Sequence, residues 1–280
     1  MGRDMAGAEK VMWRGFPLES LPLMDEQAWP PQPHSLAIPN EVLREASSVS
    51  DIAAFMAIGE AWAAMVGHYL PPEPMVLDLG CGCGKLARFF YLINGLRYVG
   101  IDLFKPAILW CRRAFAPAGD RFRFEHFNGV SEVYNAGGDI RARDYVFPLD
   151  DDSIDMTVCA SLFTHLFEPD AKHYLDEIRR VTKPGGGAII SIHVKPALGR
   201  SFSGDEARID IAEPYFIKLC EAAGLSVEER IGVIYGQTAF LLRKGGTSLY
   251  RPEDVVARAK RSLSAAAQAV GLKPGRSIPK

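Results

Sequence analysis

The side chains best suited to binding a ligand stand around three alternating glycines, Gly80, Gly82 and Gly84. Asp78 precedes the first glycine, and Asp102 ends the next apolar segment, 24 residues later. Glycine lacks a Cβ atom, so it reaches positive φ and lets a ligand approach backbone N–H groups. A carboxylate before such a loop suits a cationic amino group. A carboxylate at the tip of the next strand can accept both hydroxyls of a ribose. The pattern therefore indicates a nucleoside cofactor.

Two histidines follow later apolar segments and could take a proton from a substrate. His165 comes just after Ile154 to Ala160, and His193 comes just after Ala188 to Ile192. An imidazole titrates near neutral pH, which suits a general base. Each also has a structural interpretation, since His165 could fix its loop and His193 could be an exposed loop residue. The sequence does not rank them.

These residues need a scaffold that brings them to one edge, and the hydrophobic pattern predicts it. Strands alternate with helices along most of the chain. The predicted strands are Met75 to Leu79, Arg97 to Asp102, Arg121 to Phe127, Ile154 to Ala160, Ala188 to Ile192, Val227 to Ile231 and Thr238 to Leu242. The predicted helices are Ile52 to about Tyr69 with Asp51 as N-cap, about Lys85 to Asn94, Pro106 to Phe115, one from near Pro169, and Glu213 to Ala223.

The last two strands are joined only by Gly232 to Gln237, which is too short for a parallel crossover. The predicted fold is therefore α/β, a doubly wound, mostly parallel seven-stranded sheet with an antiparallel last strand and helices on both faces. Two segments lie outside this scheme. The segment from Gly129 to Phe147 is predicted to form a loop near the rim of the site, and His193 to Ile211 to form a polar insertion.

Three motifs together resemble the class I (Rossmann-like) S-adenosylmethionine-dependent methyltransferases of bacteria. They are D-L-G-C-G-C-G from Asp78, the acidic turn and strand FPLDDDSIDMTVCASLFTHL, and K-P-G-G before the fifth strand. The resemblance spans about Phe55 to Lys244. It implies a site for S-adenosyl-L-methionine, with S-adenosyl-L-homocysteine as product. The cofactor-binding residues it implies are Asp78, Gly80, Cys81, Gly82, Gly84, Asp102, Leu103, Phe127, Asn128 and Ser161.

Within that family the glycine loop lies under the methionine and ribose, and Asp78 would hold the methionine amino group, directly or through water. Asp102 would bind the ribose, Leu103 would cover one face of the adenine, and Asn128 would contact its amino group, where Asp is commoner. The expected reaction is in-line transfer of a methyl group to a small-molecule or sugar acceptor at a hydroxyl oxygen, with His165 or His193 as base.

Two other functions are compatible with parts of the pattern. An NAD(P)-dependent oxidoreductase is one, because Gly82, Gly84 and Ala87 fit G-x-G-x-x-G/A, although two residues late relative to the strand end. The antiparallel ending and the K-P-G-G turn oppose it. A non-catalytic protein that binds S-adenosylmethionine as a scaffold is the other.

The composition of the chain limits the partners, metals and compartments that we expect for it. A net charge of −2 in 280 residues gives no reason to expect nucleic acid, and no apolar run reaches the length of a transmembrane segment. The N-terminus lacks an apolar secretory signal. The five cysteines form no disulfide framework, and Cys81 and Cys83 lack further ligands for zinc, so we expect no metal and a cytoplasmic setting.

Three regions are predicted along the chain. Residues 1–50 form a Pro-rich segment with a lead-in helix, residues 51–244 form the cofactor-binding domain, and residues 245–280 form a basic helical tail. The tail helix, Pro252 to Val270, could dock on the domain or on a second subunit, giving a homodimer. It could also bind an acidic partner or an anionic membrane surface.

Overall fold

The computed structural model describes residues 12–13, 16–17, 36–195 and 201–250. Most of the predicted Pro-rich segment and the predicted tail helix lie outside the described residues. None of the described helices is both long and apolar enough to cross a membrane.

The main sheet has nine strands rather than the predicted seven. Seven of them follow the order β10-β11-β7-β6-β3-β4-β5, and β9, which pairs with β8, joins the sheet at β7. All pairings among β7, β6, β3, β4 and β5 are parallel, whereas β11 runs antiparallel to both neighbours. The predicted mostly parallel sheet with an antiparallel last strand is therefore confirmed. The strands are β1 (Met12–Trp13), β2 (Phe16–Pro17), β3 (Met75–Leu79), β4 (Arg97–Asp102), β5 (Phe122–His126), β6 (Ile154–Cys159), β7 (Thr182–Lys195), β8 (Phe202–Asp205), β9 (Arg208–Ala212), β10 (Leu225–Ile234) and β11 (Gln237–Lys244).

Helices cover both faces of this sheet, because parallel strands need crossover connections. They are α1 (Glu41–Ala46), α2 (Ile52–Gly67), α3 (Ala87–Phe90), α4 (Lys105–Ala114), α5 (Glu168–Val181) and α6 (Glu213–Ala222). Apolar residues of α2, α3 and α4, such as Phe55 and Trp110, form one buried cluster. Those of α5 and α6, such as Leu175 and Phe216, form a second cluster with the opposite face. The predicted N-cap is observed, since the Asp51 carboxylate accepts a hydrogen bond of 2.7 Å from the Ala54 amide.

Two predicted elements differ from the structure. The predicted polar insertion from His193 contains the hairpin β8–β9, and β9 pairs in parallel with the end of β7. Ile209 and Ile211 are 2% and 0% exposed, so alternate residues of β9 face the core while their neighbours are polar.

The helix predicted from Lys85 to Asn94 is reduced to the single turn α3. Residues 82–86 form turns instead, and the Gly82 and Cys83 amides donate to the side chains of Asp102 and Ser47.

Candidate active site

A cavity of about 440 Å³ opens at the carboxyl ends of β3, β4 and β6. Its size lies within the range of small-molecule sites, on the order of 300–1,000 Å³. One side of its wall consists of the glycine loop, the end of β4 and residues 46–48 at the end of α1. The other side consists of residues 130–143, residues 160–167 and the turn between β8 and β9. The residues that line the cavity include Ser47, Gly80, Cys81, Gly82, Lys85, Asp102, Leu103, Phe127, Val130, Ser131, Tyr134, Ser161, Leu162, His165, Leu166, Phe167 and Glu206.

The glycine loop is held by its own backbone amides. Gly80, Gly82 and Gly84 have φ values of 77°, 52° and 74°, which L side chains rarely adopt. The amides of Gly80 and Cys81 donate to the Ile101 carbonyl, and the Gly82 amide donates to Asp102. Because these donors are already engaged inside the protein, the loop does not present them to a pyrophosphate as a dinucleotide fingerprint would.

Asp102 ends β4 and connects the glycine loop to the cavity wall. Its Oδ2 accepts 2.7 Å from the Gly82 amide, and its Oδ1 accepts 2.8 Å from the Phe104 amide. Burial raises the pKa of this carboxyl above its ordinary value, and the backbone amides of Phe104, Gly82 and Leu103 oppose that rise. Each carboxylate oxygen has a second lone pair, so the group can still accept two hydroxyl hydrogens from a ligand.

His165 lies across the cavity wall, in the loop that follows β6. Its Nδ1 is 2.7 Å from the carbonyl oxygen of Glu206. Because a carbonyl oxygen only accepts, Nδ1 carries the hydrogen, and the Nε2 of the neutral ring is left as an acceptor. The Tyr134 ring stands edge-on to the imidazole, with 6.0 Å between centroids and an interplanar angle of 88°.

Glu206 and Ser131 are site residues that the sequence reasoning missed. Glu206 forms the turn between β8 and β9, and its carboxylate accepts hydrogen bonds from the Ser131 hydroxyl and from the Glu132 amide. The two segments predicted to stand outside the sheet therefore meet over the cavity. Their length was the available signal, since long connections often cover a site.

Comparison with known proteins agrees with this architecture. Residues 76–186 match the model of a family described as "Methyltransferase domain". An uncharacterized methyltransferase of Mycobacterium bovis is 31% identical over 138 residues, which cover 49% of this chain and 46% of that protein. One from Mycolicibacterium vanbaalenii is 28% identical over 137 residues, with the same shares of the two chains. The chain thus spans about half the length of the curated relatives it matches.

Solved structures share the fold at low identity. A SAM-dependent methyltransferase of Aquifex aeolicus gives a TM-score of 0.51 at 18% identity, covering 72% of this chain and 97% of that one. A Burkholderia thailandensis N1-methyltransferase, solved with S-adenosylhomocysteine, gives 0.51 at 21% identity, covering 73% and 84%. The [4+2]-cyclase SpnF gives 0.52 at 18% identity, covering 66% and 81%. Residues 76–186 are thus similar to a methyltransferase domain, and the sheet that contains them has the fold of S-adenosylmethionine-dependent methyltransferases.

The chemistry of the cavity wall fits S-adenosylmethionine, on which solved enzymes with this fold depend. Asp102 offers a carboxylate for ribose hydroxyls. Gly80 and Gly82 have no side chains, so a ligand could lie close to the backbone of the loop. A Cβ atom at Gly82 would lie 2.6 Å from the Ser47 hydroxyl. Leu103 and Phe127 supply apolar surface, and Phe127 stacks on Tyr145 with 3.9 Å between ring centroids. Cys81 and Ser161 also line the cavity.

Ser161 is held in a left-handed conformation, with φ of 67°. Its amide donates 3.0 Å to the Ser191 hydroxyl, and its own hydroxyl accepts from the Gln237 side chain. The side-chain Oε1 of Gln237 in turn accepts a hydrogen bond of 2.7 Å from the Ser191 hydroxyl. This network ties the loop after β6 to β7 and β11, and a non-glycine residue at positive φ is often found at a functional site.

Four predicted site residues are not among the described residues that line the cavity: Asp78, Gly84, Asn128 and His193. Asp78 is 2% exposed and lies beneath the loop, where it accepts 2.6 Å from the Tyr98 hydroxyl. A Cβ atom at Gly84 would lie 2.9 Å from the Phe115 ring, on the core side of the loop. These two positions support the loop from below.

The Asn128 side chain is engaged away from the cavity wall. Its amide donates 2.9 Å to Asp139, and its carbonyl oxygen accepts 3.0 Å from Asn135. It therefore braces the 129–147 segment. A direct adenine contact would require these bonds to be exchanged.

His193 lies in β7 opposite Asp210 of β9. Burial and the nearby Arg208 lower the pKa of its imidazole. The structure thus distinguishes the two candidate bases, because His165 lines the cavity and His193 is not among its lining residues.

Among the residues that the structure describes, no group of three or more His, Cys, Asp or Glu side chains could hold a metal ion.

Proposed function

We propose that this chain transfers a methyl group from S-adenosyl-L-methionine to a small-molecule or glycan acceptor at a hydroxyl oxygen, by in-line displacement. The supporting observation is the juxtaposition in one cavity of the Asp102 carboxylate with an imidazole whose Nε2 is free to accept a proton. The new C–O bond would form as the S–C bond breaks, with S-adenosylhomocysteine leaving.

Each wall of the cavity would have a separate task. Asp102 would bind the ribose hydroxyls, while Leu103 and Phe127 would flank the adenine. Gly80, Cys81, Gly82 and Ser161 would border the cofactor through backbone and small side chains. Bound adenosylmethionine supplies an electrophilic methyl group. Asp78 and Asn128 would act by bracing their loops, because their own oxygens are engaged beneath or beside the wall.

His165 is the base in this proposal. Nδ1–H is oriented by the Glu206 carbonyl, so Nε2 would take the hydroxyl proton as the acceptor oxygen attacks. His193 would have no direct part, because it is not among the described residues in the cavity wall.

The mouth of the cavity favours an acceptor with an apolar face. Val130 and Phe167 line the cavity and are nevertheless 46% exposed each, and Leu162 and Leu166 stand beside them. A sugar would bury several hydroxyls that need partners. Among the polar residues of the wall, Ser131 and Glu206 are already bonded to each other. We therefore favour a phenol or another ring-bearing alcohol over an unmodified sugar.

Calorimetry separates this proposal from its alternatives. S-adenosylhomocysteine should bind with a dissociation constant in the micromolar range or tighter, whereas NADH and NADPH should not bind measurably. Undetectable binding of S-adenosylhomocysteine would remove the proposal. Tight binding with no release of S-adenosylhomocysteine from adenosylmethionine across phenols, alcohols, sugars and amines would favour a non-catalytic binding protein. A [4+2]-cyclase shares the fold, so the fold alone does not establish methyl transfer, and turnover needs its own test.

The composition of the chain supports the expected compartment and partners. Five free thiols suit a reducing compartment such as the cytoplasm. Size-exclusion chromatography with and without residues 251–280 would test whether the basic tail makes a homodimer. The net charge of −2 favours no nucleic-acid partner.

A further inference from the structure

Glu206 contacts three residues of the site from a single turn. Its carbonyl oxygen accepts the Nδ1–H of His165 at 2.7 Å, and its carboxylate accepts the Ser131 hydroxyl and the Glu132 amide. It lines the cavity, 41 residues after the histidine and 75 after the serine in the chain.

These bonds close into a ring of four residues. The Ser131 hydroxyl oxygen accepts 2.9 Å from the Tyr134 amide, which fixes the short turn after residue 130. The Tyr134 ring then stands edge-on to His165. Each residue of the ring is thereby held by its two neighbours, although the four come from three separate segments of the chain.

The turn that carries Glu206 is itself anchored to the histidine loop. The Ile209 amide donates 2.7 Å to the Thr164 carbonyl, one residue before His165. Ser131 is 2% exposed, so loss of the Glu206 carboxylate would leave its hydroxyl buried without that acceptor. The hairpin and the 129–147 segment would then be free to separate.

We infer that Glu206 is a positioning residue, which uses its carboxylate to clamp the 129–147 segment and its carbonyl to select the Nδ1–H tautomer of His165. The inference rests on the proposed function for its catalytic meaning, because that tautomer leaves Nε2 ready to accept a proton. A misplacement of about 1 Å at a reacting group can cost on the order of a hundredfold in rate. The hairpin β8–β9 would thus hold the base in position.

The test is the tautomer of His165 in the full-length protein, read from the ¹⁵N chemical shifts of its imidazole in alkaline buffer. The protein has six histidines, so the signal is assigned by its absence from His165→Gln. In the wild type the Nδ1–H form should exceed the Nε2–H form by about fivefold to tenfold, the ratio that one hydrogen bond sustains. In Glu206→Ala and Ser131→Ala the preference should fall to about twofold or less, with loss of the Tyr134–His165 ring contact.

Glu132→Ala is the matched control, because it removes a neighbouring carboxylate but keeps the backbone amide that donates to Glu206. It should retain the wild-type tautomer ratio. Glu206→Gln, which keeps one acceptor oxygen for Ser131, should restore part of the preference. An unchanged ratio in both Glu206→Ala and Ser131→Ala would overturn the inference.

Failure of the proposed function is read separately. Spectra are recorded without ligand and with S-adenosylhomocysteine, and the same samples are titrated with that compound by calorimetry. A wild type that shows the tautomer preference but does not bind would refute the proposed function alone. Variants that bind normally but lose the preference would show that the effect is confined to the histidine.

Discussion

Two aspartates flank the glycine loop, and their surroundings give them different tasks. Asp102 lies in the cavity wall, and each of its carboxylate oxygens can accept a further hydrogen bond. Asp78 is buried beneath the loop and accepts a hydrogen bond from the Tyr98 hydroxyl. The sequence could assign a carboxylate to each end of the loop. It could not tell which one faces the ligand, because that depends on a tyrosine 20 residues away from Asp78.

Asp102→Ala should weaken binding of S-adenosylhomocysteine by about tenfold to a hundredfold, the loss expected when hydrogen bonds to a charged group are removed. The change also frees the Gly82 amide, so both the contact and the loop geometry are affected. Calorimetry measures the dissociation constant. Asp150→Ala, in the exposed turn before β6, is the control and should bind as the wild type does. Normal binding by Asp102→Ala would contradict the ribose assignment.

The stability of the protein should depend on pH through Asp78. Burial raises the pKa of this carboxyl from an ordinary 3.8 to about 7, against the lowering effect of the Tyr98 hydroxyl. The folded state therefore holds the proton more tightly than the unfolded chain does. Its stabilising contribution is present at acid pH and is lost as the pH rises from about 4 to about 7.

Asp78→Asn carries no such proton. Its free energy of unfolding, minus that of the wild type, should grow across that window by up to about 4 kcal/mol. Urea unfolding at several pH values measures this difference. Asp150→Asn should give a difference that is flat with pH. A flat difference for Asp78→Asn as well would mean that its pKa is close to the ordinary value.

At the scale of elements, the glycine loop is a turn whose shape depends on what packs above and below it. Gly82 lies under Ser47, beside α1, and Gly84 lies over Phe115, beside α4. The lead-in segment is tied to this loop by Lys85, which donates 3.0 Å to the Ser47 carbonyl. The loop therefore cannot change shape without moving two helices.

Gly82→Ala should weaken binding of S-adenosylhomocysteine by about tenfold or more, because the new Cβ would lie 2.6 Å from the Ser47 hydroxyl at the cavity wall. Gly119→Ala is the matched control. The φ of Gly119, 55°, is similar to the 52° of Gly82. A Cβ atom at Gly119 would meet nothing within 4 Å, and this residue lies outside the glycine loop.

Both variants should lose stability from the positive φ, and Gly119→Ala, at a ψ of −140°, should lose on the order of 1–3 kcal/mol. Only Gly82→Ala should also lose affinity. Thermal unfolding and calorimetry on the two proteins make the comparison. Equal affinities would show that the loop tolerates a side chain at that position.

The elements predicted with most success were those fixed by local pattern. The strand ends at Leu79 and Asp102 agree with the structure because an apolar run and a turn signal coincide there. The hairpin β8–β9 was missed because only one of its two short strands is clearly apolar on alternate residues. Glu206 was missed because no motif spacing links a turn residue to partners so distant in the chain.

For the whole molecule, the sheet separates two hydrophobic cores. Neighbouring residues of β7 face opposite sides, since Ile189 belongs to the cluster under α2 and α4 and Ile190 to the cluster under α5 and α6. Both are fully buried. The fold class could be predicted because this arrangement leaves near-continuous apolar runs in the central strands.

Ile189→Ala and Ile190→Ala should each lower the free energy of unfolding by about 2–5 kcal/mol, because each creates a cavity in its own core. Val194→Ala in the same strand, where the side chain is 37% exposed, should cost much less. Urea denaturation provides the values. A small cost for either isoleucine would show that one face of the sheet is loosely packed.

All five cysteines are buried, and burial raises the pKa of every one of their thiols. Thiolate is the reactive form, so the native protein should be nearly inert toward maleimides. A single cysteine introduced at exposed Val133 would then be the one fast-labelling position. A fluorophore attached there would report on the surroundings of the 129–147 segment, with no native cysteine removed first.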